Sequence, residues 1–250
     1  EKFNIKLETI ISDETSFYSK LKTKEKISIY WNKVYEPDHL KLDKEIEKIL
    51  EKKNIPFKFF KGNILNEYQS ITKNDGTPFK VFSPFWRNAE QIFLDAVPQK
   101  TSEIKKLKSK KTLFNSKDNF KQIMPKKDWF KKFDQYWKPS EDEAHKYLKE
   151  FISNRISKYG VDRDYPSING SSRLSPYIRN GQIHVAAIYE KSSKDIKKNI
   201  SIRKYINELG WREFSHSLIN YFPQMLKGNL RKEFDKFPWE KNSKNLKAWK

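Results

Sequence analysis

Cysteine is absent from all 250 residues, which excludes disulfide staples and thiolate metal centres. Histidine is scarce: His39, His145, His184 and His216 stand apart, without the spacing that gathers ligands around a metal. No apolar run approaches the ~18 residues that a membrane-spanning helix requires, and no signal peptide opens the chain. Acidic residues are the minority sign, 32 Asp plus Glu against 52 Lys plus Arg, for a net charge of +20. That surplus suits phosphate polyanions or an anionic membrane surface. It is mostly lysine scattered through the chain, however, and points less firmly at nucleic acid than one clustered arginine face would. What is plentiful is aromatic: 7 Trp, 12 Tyr and 18 Phe within a 36% hydrophobic content supply a sizeable core and argue against global disorder. The first residue is Glu and the last six, "NLKAWK", read as the inside of a helix, so a fragment of a longer protein is expected.

Along the chain the patterning changes once. "KISIYW" (Lys26–Trp31) is a β-branched and aromatic run apt for a buried strand. In "HLKLDKEIEKILEKKN", Leu42, Ile46, Ile49 and Leu50 fall on one helical face. "IPFKFFKG" reads as a second strand ended by Gly62. Strand, helix, strand at this spacing is the signature of a parallel sheet. Asn74-Asp75-Gly76 marks a turn. From about Pro98 to Pro125 the sequence is a lysine-laden connector with little periodicity, better read as a solvated linker than as a dedicated binding tail. Beyond it the pattern is helical. Ser140 and Glu143 form a potential capping box. Tyr147, Leu148, Phe151, Ile152, Ile156 and Tyr159 make a buried stripe on a helix ending near Gly160. "IRKYINELGWREFSHSLINYF" is a long amphipathic stretch interrupted by Gly210.

Two stretches carry more polar chemistry than structure alone demands. "NGSSRLSPYIRNG" places Ser171, Ser172, Arg173 and Ser175 around Leu174, directly before Pro176. Ser175 is the expected N-cap of a short helix closed by Asn180-Gly181. Hydroxyl donors and a guanidinium fork at a helix start suit a phosphate or carboxylate. The plainer alternative is a capped helix with Arg173 in a structural salt bridge. In "YINELGWREF", Glu208, Trp211, Arg212 and Ser215 share one helical face that Tyr205 extends. An indole, a carboxylate and a guanidinium together suit a planar, hydrogen-bonding ligand. The alternative is an exposed Glu–Arg pair beside a half-buried Trp. Gly210, costing ~1 kcal/mol inside a helix, suggests close approach by another group. "YGVDRDYP" joins the capped helix to the serine loop and leaves Arg163 in polar surroundings.

Taken in order, "YGVDRDYP", "SSRLSPYIRNGQI", "NELGWREF", "FDKFPWE" and "LKAWK" resemble the DNA photolyase/cryptochrome family. Upstream, "YWNKVYEP" and "KVFSPFW" resemble its N-terminal α/β domain. The similarity runs from about residue 5 to the end and is faintest in the connector. It implies an α/β N-terminal part, an incomplete Rossmann-like parallel-sheet domain at 1–97, then a connector at 98–130. An incomplete all-α FAD-binding domain follows at 131–250. Tyr159, the Ser171–Ser175 loop with Leu174, and Tyr205 match flavin-holding positions. Arg163 and the run Glu208, Trp211, Arg212, Ser215 match DNA-contacting positions, with Glu208 and Trp211 at the pyrimidine-dimer contacts. Trp239 matches the outermost tryptophan of the chain that photoreduces the flavin.

The resemblance therefore implies a monomeric, cytoplasmic (nucleoid-associated) enzyme without membrane attachment. It would repair cyclobutane pyrimidine dimers in damaged DNA with light and FAD. An antenna chromophore, folate or deazaflavin, stays open: Lys227 matches a folate-contacting lysine, but Asp38-His39 after Pro37 replaces an Asn-Glu pair. Relatives continue through the rest of the flavin pocket, so weak or no FAD retention and no activity are expected of residues 1–250 alone. Two rival expectations are a cryptochrome-type photoreceptor and a cofactor-free basic nucleic-acid-binding module.

Overall fold

The computed structural model describes residues 10–22, 26–96, 124–238 and 240–250. Helix α1 (Glu14–Lys20) starts where the Asp13 carboxylate accepts the Ser16 N–H at 2.8 Å. Strands β1 (Ile29–Asn32) and β2 (Phe57–Phe60) flank helix α2 (Pro37–Lys52) and pair in parallel, Ile29 opposite Phe57 and Asn32 opposite Phe60. This is the strand–helix–strand unit expected. Trp31 ties it together by stacking near Phe57 and donating its indole N–H to Asp43 of α2 at 3.1 Å. On α2, Ile46 and Leu50 are buried as the periodicity demands. The strands are half-buried rather than buried, because successive side chains point to opposite faces and Tyr30 and Phe60 lie on the open one. The Asn74-Asp75-Gly76 turn forms with Gly76 at φ +76° and Asp75 accepting from Thr77.

Helix α3 (Phe82–Asp95) leaves the sheet and packs on the helical part. That part comprises α4 (Glu141–Asn154), α5 (Tyr159–Asp162), α6 (Ser175–Arg179), α7 (Val185–Ser192), α8 (Ile200–Tyr221) and α9 (Ser243–Trp249). Leu65, Phe85, Trp86 and Ala89 share one core with Leu148, Phe151, Ile188, Ile206 and Phe214, so a single apolar cluster spans both parts of the chain. The ligaments are polar. Glu90 of α3 accepts from Arg203 at 2.8 and 2.9 Å and from the Tyr189 hydroxyl at 2.6 Å. The close approach expected at Gly210 is made by Trp86, since a Cβ there would sit 2.4 Å from the indole Cδ2. Trp86 also donates its N–H to Asn207 at 3.1 Å.

Several local expectations shift. Ser140 does cap α4, accepting from the Glu143 N–H at 3.1 Å. Its own N–H goes to the Lys138 carbonyl at 2.9 Å and the Glu143 carboxylate pairs with Lys146, so only half of the capping box forms. The helix stops at Asn154, and a 3-10 turn (Ile156–Lys158) separates it from α5. Gly160 caps nothing there. It admits α8, because a Cβ would lie 2.9 Å from Ser201 Oγ. The connector expected at 98–130 lies mostly outside the described residues, although Asp128–Gln135 forms a 3-10 helix.

Candidate functional site

The serine-rich loop is held from behind. Arg155, just past α4, donates to the Asn169 carbonyl at 3.1 Å and the Ser171 carbonyl at 2.9 Å, and pairs with Glu150. Leu174 plugs the loop into the core and is buried, while Ser171, Arg173 and Ser175 are exposed around it. Helix α6 begins at Ser175 with Leu174 as N-cap, and no side-chain bond caps it. The expected serine cap is displaced by one residue, because the loop turns at Arg173. Arg173 adopts φ +54°, a left-handed conformation that is costly for a residue with a Cβ. Among the described residues its guanidinium makes no ion pair. Among the described residues no salt bridge accounts for Arg173, and the loop presents its guanidinium beside the exposed Ser171 and Ser175 hydroxyls. Asn180-Gly181 closes α6 as expected, with Gly181 at φ +70°.

The loop approaches the long helix at Tyr205 of α8, a buried residue on whose phenol the Ser172 hydroxyl acts. Burial pushes the Tyr205 phenol well above its ordinary range, the Ser172 hydroxyl acting in the opposite sense, so the phenol stays neutral. Tyr159 packs edge-on against it with ring centroids 5.1 Å apart, and Phe151 closes the cluster. Over the Tyr159 ring lies Arg163, 5.3 Å from the centroid, whose Nη1 donates to Glu208 at 2.5 Å. The carboxylate beside it pushes the Arg163 guanidinium still higher, so it remains charged. Tyr159, Arg163, Ser172, Tyr205 and Glu208 thus form one continuous patch, although their positions span 50 residues.

Trp211 continues the same face and is 46% exposed. Phe82 of α3 stacks on it at 3.8 Å with 8° between the planes, and Phe214 meets it edge-on. Ser215 bonds back to the Trp211 carbonyl at 2.9 Å. Arg212 leaves this group. It sits ~100° round the helix from Trp211, and its long side chain reaches Asn63 at 2.6 Å and Glu213 at 3.0 Å. Trp239 lies outside the described residues.

On the Arg212 side, a cavity of about 340 Å³ opens at the carboxyl ends of β1 and β2. Lys33, Lys61, Arg179 and His184 line it with Arg212 and His216, and Ser175 touches its rim. Glu213, only 4% exposed, anchors the wall by accepting the Leu65 N–H at 2.7 Å. Burial pushes its carboxyl up to about 7. Burial and then the neighbouring Arg212 hold the His216 imidazole down at about 4. The patch and the cavity are both built on α8, the patch from Tyr205, Glu208 and Trp211 and the cavity wall from Arg212 and His216. Of the residues singled out from the sequence, Ser175 and Arg212 line this cavity.

Comparison with known proteins resolves what shares this architecture. The family model for DNA photolyase matches residues 10–103, and that for the FAD-binding domain of DNA photolyase matches residues 205–250. A deoxyribodipyrimidine photo-lyase from Agrobacterium fabrum is 30% identical over 228 residues, covering 89% of this chain and 47% of the relative. The crystal structure of a bacterial class III photolyase from Agrobacterium tumefaciens superposes with a TM-score of 0.77 at 30% identity, over 89% of this chain and 46% of that one. The chain belongs to the DNA photolyase/cryptochrome family. A Synechocystis cryptochrome at 19% identity and TM-score 0.67 shares the fold. This photolyase-family chain spans about half the length of the relatives it matches. Among its described residues no helix is long and apolar enough to cross a membrane.

Four contributors escaped the sequence: Arg155, Phe82, Asn63 and Glu213. Phe82 stood within the recognised "KVFSPFW", but its partner lies 129 positions away. Glu213 gave no signal of its own, because its partner Leu65 is equally remote in sequence.

Proposed function

We propose that this chain is part of a deoxyribodipyrimidine photo-lyase that repairs cyclobutane pyrimidine dimers in DNA. Its polar-aromatic patch would form the lesion-facing wall, and the serine loop one side of the flavin cradle. The observation that supports this best is the Arg163–Glu208 pair over the Tyr159 ring, which gathers a cation, a carboxylate and aromatic rings on the helix that also carries Trp211. The donor set fits FAD. Ser171, Arg173 and Ser175 offer hydroxyls and a guanidinium to a diphosphate, and Arg173 keeps a strained backbone with no ion-pair partner among the described residues. Reduced FAD, when bound and excited by blue or near-ultraviolet light, supplies the electron that splits the dimer.

The protein's own residues bind and orient. Arg163, charged throughout the accessible pH range, would contact a backbone phosphate while fixing the Glu208 carboxylate. Glu208 would accept a base N–H, and Trp211 would stack on the extruded pyrimidines. The buried, neutral Tyr205 backs the Tyr159 ring that Arg163 covers. Arg212 and Ser215 act at one remove, Arg212 by anchoring the helix to the Asn63 segment. Trp239 would relay electrons to the flavin.

The deciding experiment illuminates the flavin-loaded, reduced full-length protein with DNA carrying a defined thymine dimer. Restoration of intact thymines supports repair. Intact dimers after illumination of a flavin-loaded protein favour a signalling cryptochrome, and a colourless protein with only salt-dependent DNA binding favours the cofactor-free module.

A further inference from the structure

We propose that Phe82 is a positioning residue that sets the plane of Trp211 for a single stacking partner. The proposal rests on the lesion-binding reading of Trp211. Phe82 comes from the first turn of α3, in the N-terminal part of the chain, whereas Trp211 stands on α8 of the helical part. Their rings lie 3.8 Å apart and only 8° from parallel, which is full face-to-face contact rather than the edge-on packing of the surrounding Phe79, Phe85 and Phe214 rings. Aromatic pairs in a core prefer offset or edge-on geometry. A parallel pair at a half-exposed position therefore needs something to impose it.

The imposing elements are one turn along each helix. Gly210 leaves a notch that receives the Trp86 indole, and the Trp86 N–H is fixed to Asn207 at 3.1 Å. Residues 82 and 86 are neighbours on one face of α3. Seating Trp86 in the notch thus delivers Phe82 onto the residue next to Gly210. Phe214 closes the indole edge at a centroid distance of 5.9 Å. One face and one edge are occupied. The opposite face carries no ring among the described residues. An indole held this way has lost its side-chain rotations before any ligand arrives, and it offers one flat surface of one orientation. Planar heterocycles laid against it, such as the bases of an extruded dinucleotide, meet a preorganised platform. The "KVFSPFW" segment is therefore a specificity element of the lesion site, despite lying in the other part of the chain.

The test compares Phe82→Leu, Phe82→Tyr and Trp211→Ala, singly and as the Phe82→Leu/Trp211→Ala double variant, in the full-length protein with its flavin bound. Affinity is measured for an oligonucleotide carrying one thymine dimer and for the same oligonucleotide undamaged. Phe82→Leu should lower the preference for dimer DNA about five- to tenfold, part of the ~1–3 kcal/mol that base–aromatic stacking supplies. It should leave undamaged binding, flavin absorbance and repair at saturating substrate unchanged. Phe82→Tyr should retain the preference. In the Trp211→Ala background the Leu substitution should have no further effect. An equal loss in both backgrounds would overturn the proposal, since the effect would then not run through the indole. Tighter dimer binding by Phe82→Leu would also overturn it, by making Phe82 a plug on the stacking face. A wild-type protein with no preference for dimer DNA would instead refute the lesion-binding reading itself.

Discussion

Glu213 and His216 lie less than one helical turn apart on α8, and each is held away from its ordinary titration range in the opposite sense. The carboxyl rises to about 7 from an ordinary 4.5, and the imidazole falls to about 4 from 6.5. Between pH 4.5 and 7 the folded chain therefore binds one more proton at Glu213 than the unfolded chain does. That contribution to stability is largest in acid and is lost as the pH rises. At His216 the unfolded chain binds the extra proton between pH 4 and 6.5, so that contribution is lost as the pH falls. Each slope is about 1.4 kcal/mol per pH unit, and over its window each sums to roughly 3 kcal/mol. Across pH 4.5–6.5 the two cancel. Arg212 and Lys61 act on the carboxylate, and Arg212, Glu36 and Arg179 on the imidazole, so the two sites titrate independently of one another to first order.

Single substitutions should uncover the hidden slopes. Stability measured by urea unfolding at half-unit pH intervals should show Glu213→Gln gaining on the wild type as the pH rises from 4.5 to 7, by about 3 kcal/mol in total. His216→Gln should show the reverse, gaining as the pH falls from 6.5 to 4 by a similar amount. The Leu65 N–H that Glu213 accepts, and the Arg212 partner it would leave, add a constant cost to Glu213→Gln but no slope. A difference curve that stays flat with pH for Glu213→Gln would refute the buried, protonated carboxyl and with it the description of this wall.

Other consequences are simpler. Gly210→Ala puts a methyl group 2.4 Å from a Trp86 indole that is itself buried, and should cost about 1–3 kcal/mol in thermal or chemical unfolding. Arg155→Ala removes both donors that hold the serine loop and should weaken flavin binding in the full-length protein about tenfold, read from flavin retained after gel filtration. Arg163→Ala should weaken binding to damaged and undamaged DNA alike and reduce the salt-dependence slope by about one.

Legibility in the sequence followed the range of the interaction. Helix α2 could be placed from Leu42, Ile46 and Leu50, and β1 and β2 from their aromatic runs, because those signals repeat within a few residues. The Gly181 closure and the Asp75 turn were visible for the same reason. Face assignment on α8 was legible only in part, since that helix is enclosed on several sides. Its buried residues include Ser201, Glu213 and Ser217 as well as Ile206 and Phe214. A polar residue on such a helix gives no sign of whether it faces water or a distant N–H. Glu213 found Leu65 and Arg212 found Asn63, each about 150 positions away. No periodicity encodes that distance.

The same limit hid how the polar residues of α8 divide between the patch and the cavity wall. Glu208 and Arg212 are four residues apart and seem to share a face when the helix is considered alone. In the folded chain Arg212 bonds to Asn63 in the segment after β2, while Arg163 pairs with Glu208. Helix α8 therefore contributes to two chemically distinct walls. Gly210 matters to both, because the Trp86 indole seated there fixes α3 against the helix from which each wall is built. A substitution at Gly210 should consequently disturb stacking at Trp211 and the pH response of Glu213 together, whereas Arg163→Ala should touch the first wall alone. If Gly210→Ala left the Glu213 slope intact while abolishing preference for dimer DNA, the two walls would not share this mount.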